Sequence, residues 1–233
     1  MKSMGDKRPN FLLIHGFGGG VHEVSPLADH LISIGYEAVC PLLKGHSASK
    51  KEMRMVTYKD WIDSVEKELL RMRETSDDIV LIGFSMGGLI AFNLACKYKI
   101  KAIITLNTPI YFWNIHQAFL NIIDDLRNKQ FYHCRRYFKE TGNFPIKSLI
   151  EFLHLLRQTK PLLKNVNCPI LVIQAEDDDT VKRKSVDYIC QHLSSHKKSV
   201  KYFKKCGHLI LLSPIAMQVM TCIEGFLHDQ KII

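Results

Sequence analysis

A serine stands at the centre of the stretch VLIGFSMGG, which spans residues 80–88. Gly83 and Gly87 lie two positions before and after Ser85, which gives the pattern G-x-S-x-G. Where this pattern joins a buried strand to a helix, it is typical of a sharp turn that holds the serine hydroxyl at the end of the strand, and that turn has room only for small residues on either side. The pattern alone also arises at unrelated helix starts, so a nucleophilic Ser85 requires supporting groups.

A serine hydroxyl becomes a useful nucleophile when a base takes its proton and a carboxylate orients that base. His208 follows the last predicted strand and precedes the last predicted helix, which distinguishes it among the eleven histidines. An acidic run, Glu176 to Asp179, follows the strand before it. The chain order of serine, acid and histidine is the order expected when each group follows a strand of a parallel sheet. The residues themselves leave the choice of acid open within the run; the run lacks the D-x-D-x-D-G spacing of a calcium loop.

The elements that must position these groups follow from the hydrophobic pattern, which alternates between short apolar runs and helical spacing. Consecutive apolar residues favour parallel strands that helices cover on both faces. We therefore predict an α/β fold with a mostly parallel, doubly wound sheet, in one domain over residues 1–233. The predicted strands are 11–14, 36–40, 79–82, 102–106, 170–173 and 200–203, and the predicted helices are 23–34, 57–74, 86–98, 180–194 and 214–228.

One interval interrupts this alternation, because about fifty residues from Pro109 to Lys160 pass without a predicted strand. Apolar residues recur at helical spacing within it, from Phe112 to Leu126. We predict a small helical cap over residues 110–160, inserted after a strand and therefore close to Ser85. Trp113 and Phe119 are its candidate substrate contacts, although packing is the commoner role of any single aromatic residue.

Composition limits the classes of protein that fit. The chain has 233 residues, of which 46% are hydrophobic and 24% charged, and a formal net charge of +9. The basic residues are spread along the chain rather than clustered, so we predict no nucleic-acid binding. Seven cysteines without a C-x-x-C pair indicate a reducing compartment and no zinc site. Without a signal peptide or a membrane-spanning run, the expected location is the cytoplasm and no integral membrane association is predicted. The sequence does not indicate an oligomeric state.

Four motifs together resemble the α/β-hydrolase superfamily, and within it the small bacterial carboxylesterases and monoacylglycerol lipases. They are HGFGG at residues 15–19, GFSMGG at 83–88, AEDDDTV at 175–181 and CGH at 206–208. The resemblance covers nearly the whole chain and implies an α/β-hydrolase fold. It also implies that Asp178 is the acid of a Ser85, His208 and Asp178 triad, with Asp177 and Asp179 as rivals. The backbone N–H groups of Phe17 and Met86 would then form the oxyanion hole.

The expected activity is hydrolysis of short- to medium-chain carboxylic esters or monoacylglycerols through an acyl-enzyme, with no metal and no organic cofactor. The same triad on the same fold also serves amidases, peptidases and C–C bond hydrolases, and a non-catalytic binding protein of this fold is a further alternative. The glycines after His15 lack the G-K-S/T of a P-loop, which argues against a phosphate site. His46 in the turn PLLKGH is predicted to be a turn residue, with contact to substrate as the alternative.

Overall fold

Six strands form the sheet of the computed structural model, which describes residues 8–47, 50–112 and 145–233. All pairings are parallel and the strand order is β2-β1-β3-β4-β5-β6. The predicted fold class is therefore confirmed, and each predicted apolar run overlaps a strand, although only Ala38–Val39 of the run 36–40 is in one. The bounds are Asn10–Ile14 for β1, Ala38–Val39 for β2, Ile79–Phe84 for β3, Ala102–Leu106 for β4, Ile170–Ala175 for β5 and Lys198–Phe203 for β6.

The central strands are apolar on consecutive residues because both faces of the sheet are covered. Successive side chains of a strand point to opposite faces. Leu12 of β1 therefore belongs to one buried cluster, and its neighbour Leu13 belongs to the other. Trp61 packs in the first cluster and Phe226 in the second. β6 lies at the edge of the sheet and is largely exposed, which explains its mixed sequence.

The five predicted helices are present, with differences at their ends, whereas the helix over Lys50–Met55 was not predicted. The bounds of the helices are Ser25–Ser33 for α1, Lys50–Met55 for α2, Tyr58–Arg73 for α3, Met86–Lys97 for α4, Ile146–Thr159 for α5, Lys184–His192 for α6 and Ala216–Asp229 for α7, with short 3-10 turns at Val21–Glu23, Lys160–Asn165 and Ile210–Leu212. α6 begins four residues later than predicted. The reason is that the carboxylate of Asp178 accepts hydrogen bonds from the backbone N–H groups of Thr180 and Val181, so these residues form a loop.

The interval predicted as a cap is described in part, at residues 110–112 and 145–160. α5 packs on the main body, since Phe152 and Leu155 are buried there and the Asn93 side chain of α4 donates a hydrogen bond to Thr159. Trp113 and Phe119 lie outside the described residues, as does the rest of the predicted cap.

Within the described ranges, every helix is too short or too polar to span a bilayer. Since all six strands run parallel, their carboxyl ends meet at one edge of the sheet. The loops after β1, β3, β4, β5 and β6 converge at this edge, and they carry the residues that the sequence singled out.

Candidate active site

Ser85 occupies the sharp turn that joins β3 to α4. Its backbone has φ 51° and ψ −119°, a conformation that costs a non-glycine residue about 1–3 kcal/mol and persists only where the surroundings impose it. Here the Ser85 N–H donates a hydrogen bond of 2.8 Å to the carbonyl of Leu106, at the end of β4. The turn therefore fixes the serine against the neighbouring strand, as the G-x-S-x-G pattern predicts.

The glycines around Ser85 are required by close backbone approaches. A Cβ on Gly83 would lie 2.4 Å from the backbone nitrogen of Gly88, and a Cβ on Gly87 would lie 2.1 Å from the carbonyl oxygen of Ile14. A third glycine was not assigned a role from the sequence: a Cβ on Gly88 would lie 1.9 Å from Oγ1 of Thr108. The feature of the sequence that could have indicated this role is the second of the two consecutive glycines in GFSMGG.

His208 links Ser85 to Asp178 by two hydrogen bonds. Its Nε2 lies 3.0 Å from Ser85 Oγ, and its Nδ1 lies 2.9 Å from Asp178 Oδ2. Because a carboxylate only accepts hydrogen bonds, Nδ1 carries the proton and Nε2 is free to accept the proton of the serine hydroxyl. The structure thus brings together three residues that lie 123 and 30 positions apart in the chain.

The structure shows which carboxylate of the acidic run after β5 contacts His208. The side chain of Asp178 is 1% exposed, and it also accepts hydrogen bonds from Gln174 Nε2 and from the N–H groups of Thr180 and Val181. Asp177 and Asp179 are exposed. Of these three aspartates, Asp178 is the one in contact with His208, which is the register that the resemblance implies.

Asn107 is a buried residue to which the sequence analysis assigned no role. It has φ 49° at the end of β4. Its Nδ2 donates a hydrogen bond of 2.7 Å to the carbonyl of His208, and its Oδ1 accepts one of 2.7 Å from the N–H of Ala175. One side chain thus ties the histidine loop to the strand that carries the acid loop.

The loop after β1 contains Phe17, one of the two expected oxyanion donors. Two buried titratable groups, His15 and Glu23, hold this loop in place. His15 Nδ1 donates a hydrogen bond of 2.9 Å to the carbonyl of Gly16, and its Nε2 accepts one of 3.2 Å from the N–H of Leu43. Burial lowers the pKa of His15 to about 4, so the ring is neutral. Glu23 Oε2 accepts a hydrogen bond of 2.8 Å from the N–H of Gly16. Sequence reasoning missed Glu23.

Met86, the other expected donor, is the first residue of α4. The first N–H groups of a helix have no acceptor within the helix, so the N–H of Met86 is free of intrahelical bonding at the point where the serine stands. This position suits the stabilisation of a developing negative charge, which backbone donors provide without reorganisation.

Aromatic rings pack against the loop that carries Phe17. The Phe17 ring lies 5.3 Å from that of Phe152 and 5.7 Å from that of Trp61, and Phe112 lies 5.3 Å from Phe152. His46 packs against Trp61 at 5.7 Å, and burial lowers its pKa. These rings form an aromatic cluster around the loop that carries Phe17, and His46 belongs to that cluster as a packing residue of the turn.

The chain belongs to the α/β-hydrolase fold family. The model of that family, described as "alpha/beta hydrolase fold", matches residues 9–141, more than half of the chain. A second family model, described as "Serine aminopeptidase, S33", matches residues 135–214.

Similar proteins include two bacterial hydrolases of comparable length. A thermostable monoacylglycerol lipase of Bacillus sp. (strain H-257) is 29% identical over 212 residues, which are 86% of this chain and 83% of that protein. A carboxylesterase of Bacillus subtilis (strain 168) is 25% identical over 216 residues, 89% of this chain and 87% of that protein.

Solved structures agree on the fold. A structure from work on the metagenome-derived lipolytic enzymes LipS and LipT has a TM-score of 0.81 at 20% identity and covers 96% of this chain and 94% of that one. A soluble variant of the monoglyceride lipase of Saccharomyces cerevisiae has a TM-score of 0.73 at 20% identity, and the match covers 96% of this chain and 87% of that one.

Proposed function

We propose that this protein is a serine hydrolase of carboxylic esters in which Ser85 is the nucleophile, His208 the general base and Asp178 the residue that orients the base. The observation that carries the proposal is the continuous hydrogen-bonded chain from Ser85 Oγ through His208 to Asp178, on a strained turn. The similarity to a monoacylglycerol lipase and a carboxylesterase over more than four fifths of the chain supports an ester as the substrate.

In the proposed reaction, Ser85 Oγ attacks the carbonyl carbon of the ester while His208 Nε2 takes the hydroxyl proton. The N–H groups of Phe17 and Met86 donate hydrogen bonds to the oxyanion of the tetrahedral intermediate. When the intermediate collapses, the bond to the leaving alcohol breaks and the alcohol takes the proton from His208, which leaves the acyl group on Ser85. Water then attacks this acyl-enzyme, again with His208 as base, and releases the acid.

The buried Asp178 supplies the orientation that this mechanism needs. Its negative charge stabilises the imidazolium that His208 becomes, and its hydrogen bond keeps the proton on Nδ1. The reaction as written requires no metal and no organic cofactor.

The proposed substrates are short- to medium-chain esters and monoacylglycerols. The rings of Phe17 and Phe112, which are partly exposed, offer an apolar surface for an acyl chain, and each buried methylene adds about 0.8 kcal/mol until the space is filled. A roof formed by the cap, with Trp113 and Phe119 as contacts, stays a prediction, and so do the cytoplasmic location and the lack of nucleic-acid binding.

An amidase or peptidase is the second candidate, favoured by the match of residues 135–214 to the aminopeptidase model. A panel that holds the acyl group constant separates the two: p-nitrophenyl butyrate, monobutyrylglycerol and butyryl p-nitroanilide. We expect both esters to be hydrolysed at least about a hundredfold faster than the anilide. We expect Ser85→Ala to lower kcat on the esters by about a millionfold, because the nucleophile is gone.

Preferred cleavage of the anilide would instead support the peptidase. Ester hydrolysis by Ser85→Ala within tenfold of the parent would contradict the assignment of the nucleophile. The circular dichroism of this variant is the control for folding.

A further inference from the structure

A buried carboxylate lies beneath the loop of Phe17, and the mechanism above does not use it. Glu23 is 9% exposed, at the end of the 3-10 turn Val21–Glu23. Its Oε2 accepts the hydrogen bond of the Gly16 N–H at 2.8 Å, and Gly16 immediately precedes Phe17. The carboxylate therefore holds the residue next to the expected oxyanion donor.

The glycines of the loop leave the space that this carboxylate fills. A Cβ on Gly19 would lie 2.1–2.3 Å from the three carboxyl atoms of Glu23, and a Cβ on Gly16 would lie 3.2 Å from Glu23 Oε2. The loop thus wraps around the acid, and at these two positions the sequence HGFGG accommodates a side chain of the protein itself.

A carboxylate in this place is costly for stability. Within the described ranges, Glu23 forms no ion pair with a lysine or arginine, and burial raises its pKa. An apolar residue of similar size avoids the cost of removing a charge from water. An apolar residue, however, could not accept the hydrogen bond of the Gly16 N–H, which Glu23 does.

We propose that Glu23 is a positioning residue of the ester hydrolase proposed above, on which this inference rests: it holds the Gly16 N–H, and through it the oxyanion donor Phe17. Two substitutions test whether the hydrogen bond to Gly16 carries this role. Glu23→Ala removes the acceptor, whereas Glu23→Gln keeps an acceptor oxygen for Gly16.

The experiment measures kcat and KM on p-nitrophenyl butyrate from pH 5 to 9, for the parent, for both Glu23 variants and for Glu37→Gln. Glu37 is the matched control, because its carboxylate accepts a hydrogen bond from Asn10 at the start of β1, at the opposite edge of the sheet. Thermal unfolding and fluorophosphonate labelling of each variant report folding and the presence of the nucleophile.

For Glu23→Ala we expect kcat to fall about 10- to 100-fold with KM within threefold of the parent, since loss of one oxyanion donor costs about 10²- to 10³-fold in kcat and here the donor is misplaced rather than removed. For Glu23→Gln we expect kcat within about fivefold of the parent, because the acceptor of the Gly16 N–H is kept.

A folded Glu23→Ala with kcat within twofold of the parent overturns this role. A folded Glu23→Gln whose kcat falls more than tenfold also overturns it, because the acceptor of the Gly16 N–H is kept, and this outcome is readable even where Glu23→Ala fails to fold. If the parent neither hydrolyses the ester nor labels with fluorophosphonate, the proposed function is wrong and the role of Glu23 falls with it. If the parent does both and the Glu23 variants match the control, the role of Glu23 alone is wrong.

Discussion

Replacement of Asp178 by asparagine changes one oxygen of the acid to an amide nitrogen and leaves the shape of the side chain unchanged. Asp178 Oδ1 accepts hydrogen bonds of 2.8 and 2.9 Å from the N–H groups of Thr180 and Val181, which can only donate. The asparagine must therefore turn its oxygen toward them and its NH₂ toward His208. Gln174 Nε2, which donates to Asp178 Oδ2 and to the carbonyl of Ala175, then loses the first of these two acceptors.

The consequence for the histidine is the wrong tautomer. An NH₂ group donates to His208 Nδ1, so the imidazole proton moves to Nε2 and faces Ser85. His208 then has no lone pair with which to take the serine proton. In a serine triad, this change lowers kcat about ten-thousandfold, which corresponds to about 5.4 kcal/mol of lost transition-state stabilisation.

The assay is kcat on p-nitrophenyl butyrate at pH 8 for Asp178→Asn, with Asp177→Asn and Asp179→Asn as matched controls. Both controls make the same chemical change one residue away, on exposed side chains, and we expect each to stay within about threefold of the parent. Activity of Asp178→Asn within tenfold of the parent, or an equal loss in either control, would refute the assignment of the acid.

Three further predictions follow from the packing and burial of the site. Gly87→Ala places a Cβ 2.1 Å from the carbonyl oxygen of Ile14, so we expect about 1–3 kcal/mol of destabilisation by overpacking and at least a tenfold loss of kcat, measured by thermal unfolding and kinetics. Since the pKa of His15 falls from 6.5 to about 4 on folding, its unfolded form binds the proton first on acidification. The free energy of unfolding should then drop by about 2 kcal/mol from pH 7 to 5 on account of this residue, a loss that urea titrations of His15→Asn should lack. On p-nitrophenyl esters of two to sixteen carbons, kcat/KM should rise to an optimum at short to medium chains, and Trp113→Ala and Phe119→Ala should flatten the profile; an unchanged profile in both variants would mean that the cap is structural.

The strand pattern and the nucleophile turn were predictable because each depends on local sequence. A strand covered on both faces must be apolar on consecutive residues, and a turn with φ 51° at Ser85 needs glycine where backbones meet. The order of Ser85, acid and His208 followed from the rule that loops after parallel strands share one edge. The choice of Asp178 within the acidic run required the resemblance, because periodicity does not distinguish neighbouring aspartates.

Positioning residues were not predictable, since their partners lie far away in the chain. Asn107 bonds to the carbonyl of His208, 101 residues further on. Glu23 supports a loop for whose glycines the sequence indicated no buried partner, and the structure places its carboxylate against Gly16 and Gly19. The start of α6 was predicted too early because the Asp178 carboxylate accepts hydrogen bonds from backbone N–H groups that would otherwise begin the helix. A hydrophobic pattern carries no information about such bonds.

The identity of the nucleophile is tested most directly by locating the adduct of a fluorophosphonate. The reagent transfers its phosphonyl group to an activated serine oxygen with loss of fluoride and of the serine proton, and peptide mass spectrometry identifies the modified residue. We predict one adduct per chain, on Ser85, formed in proportion to the loss of hydrolysis of p-nitrophenyl butyrate, and no adduct on Ser85→Ala. An unlabelled Ser85 in a protein that hydrolyses the ester, or full hydrolysis by chains that carry the adduct, would contradict the account.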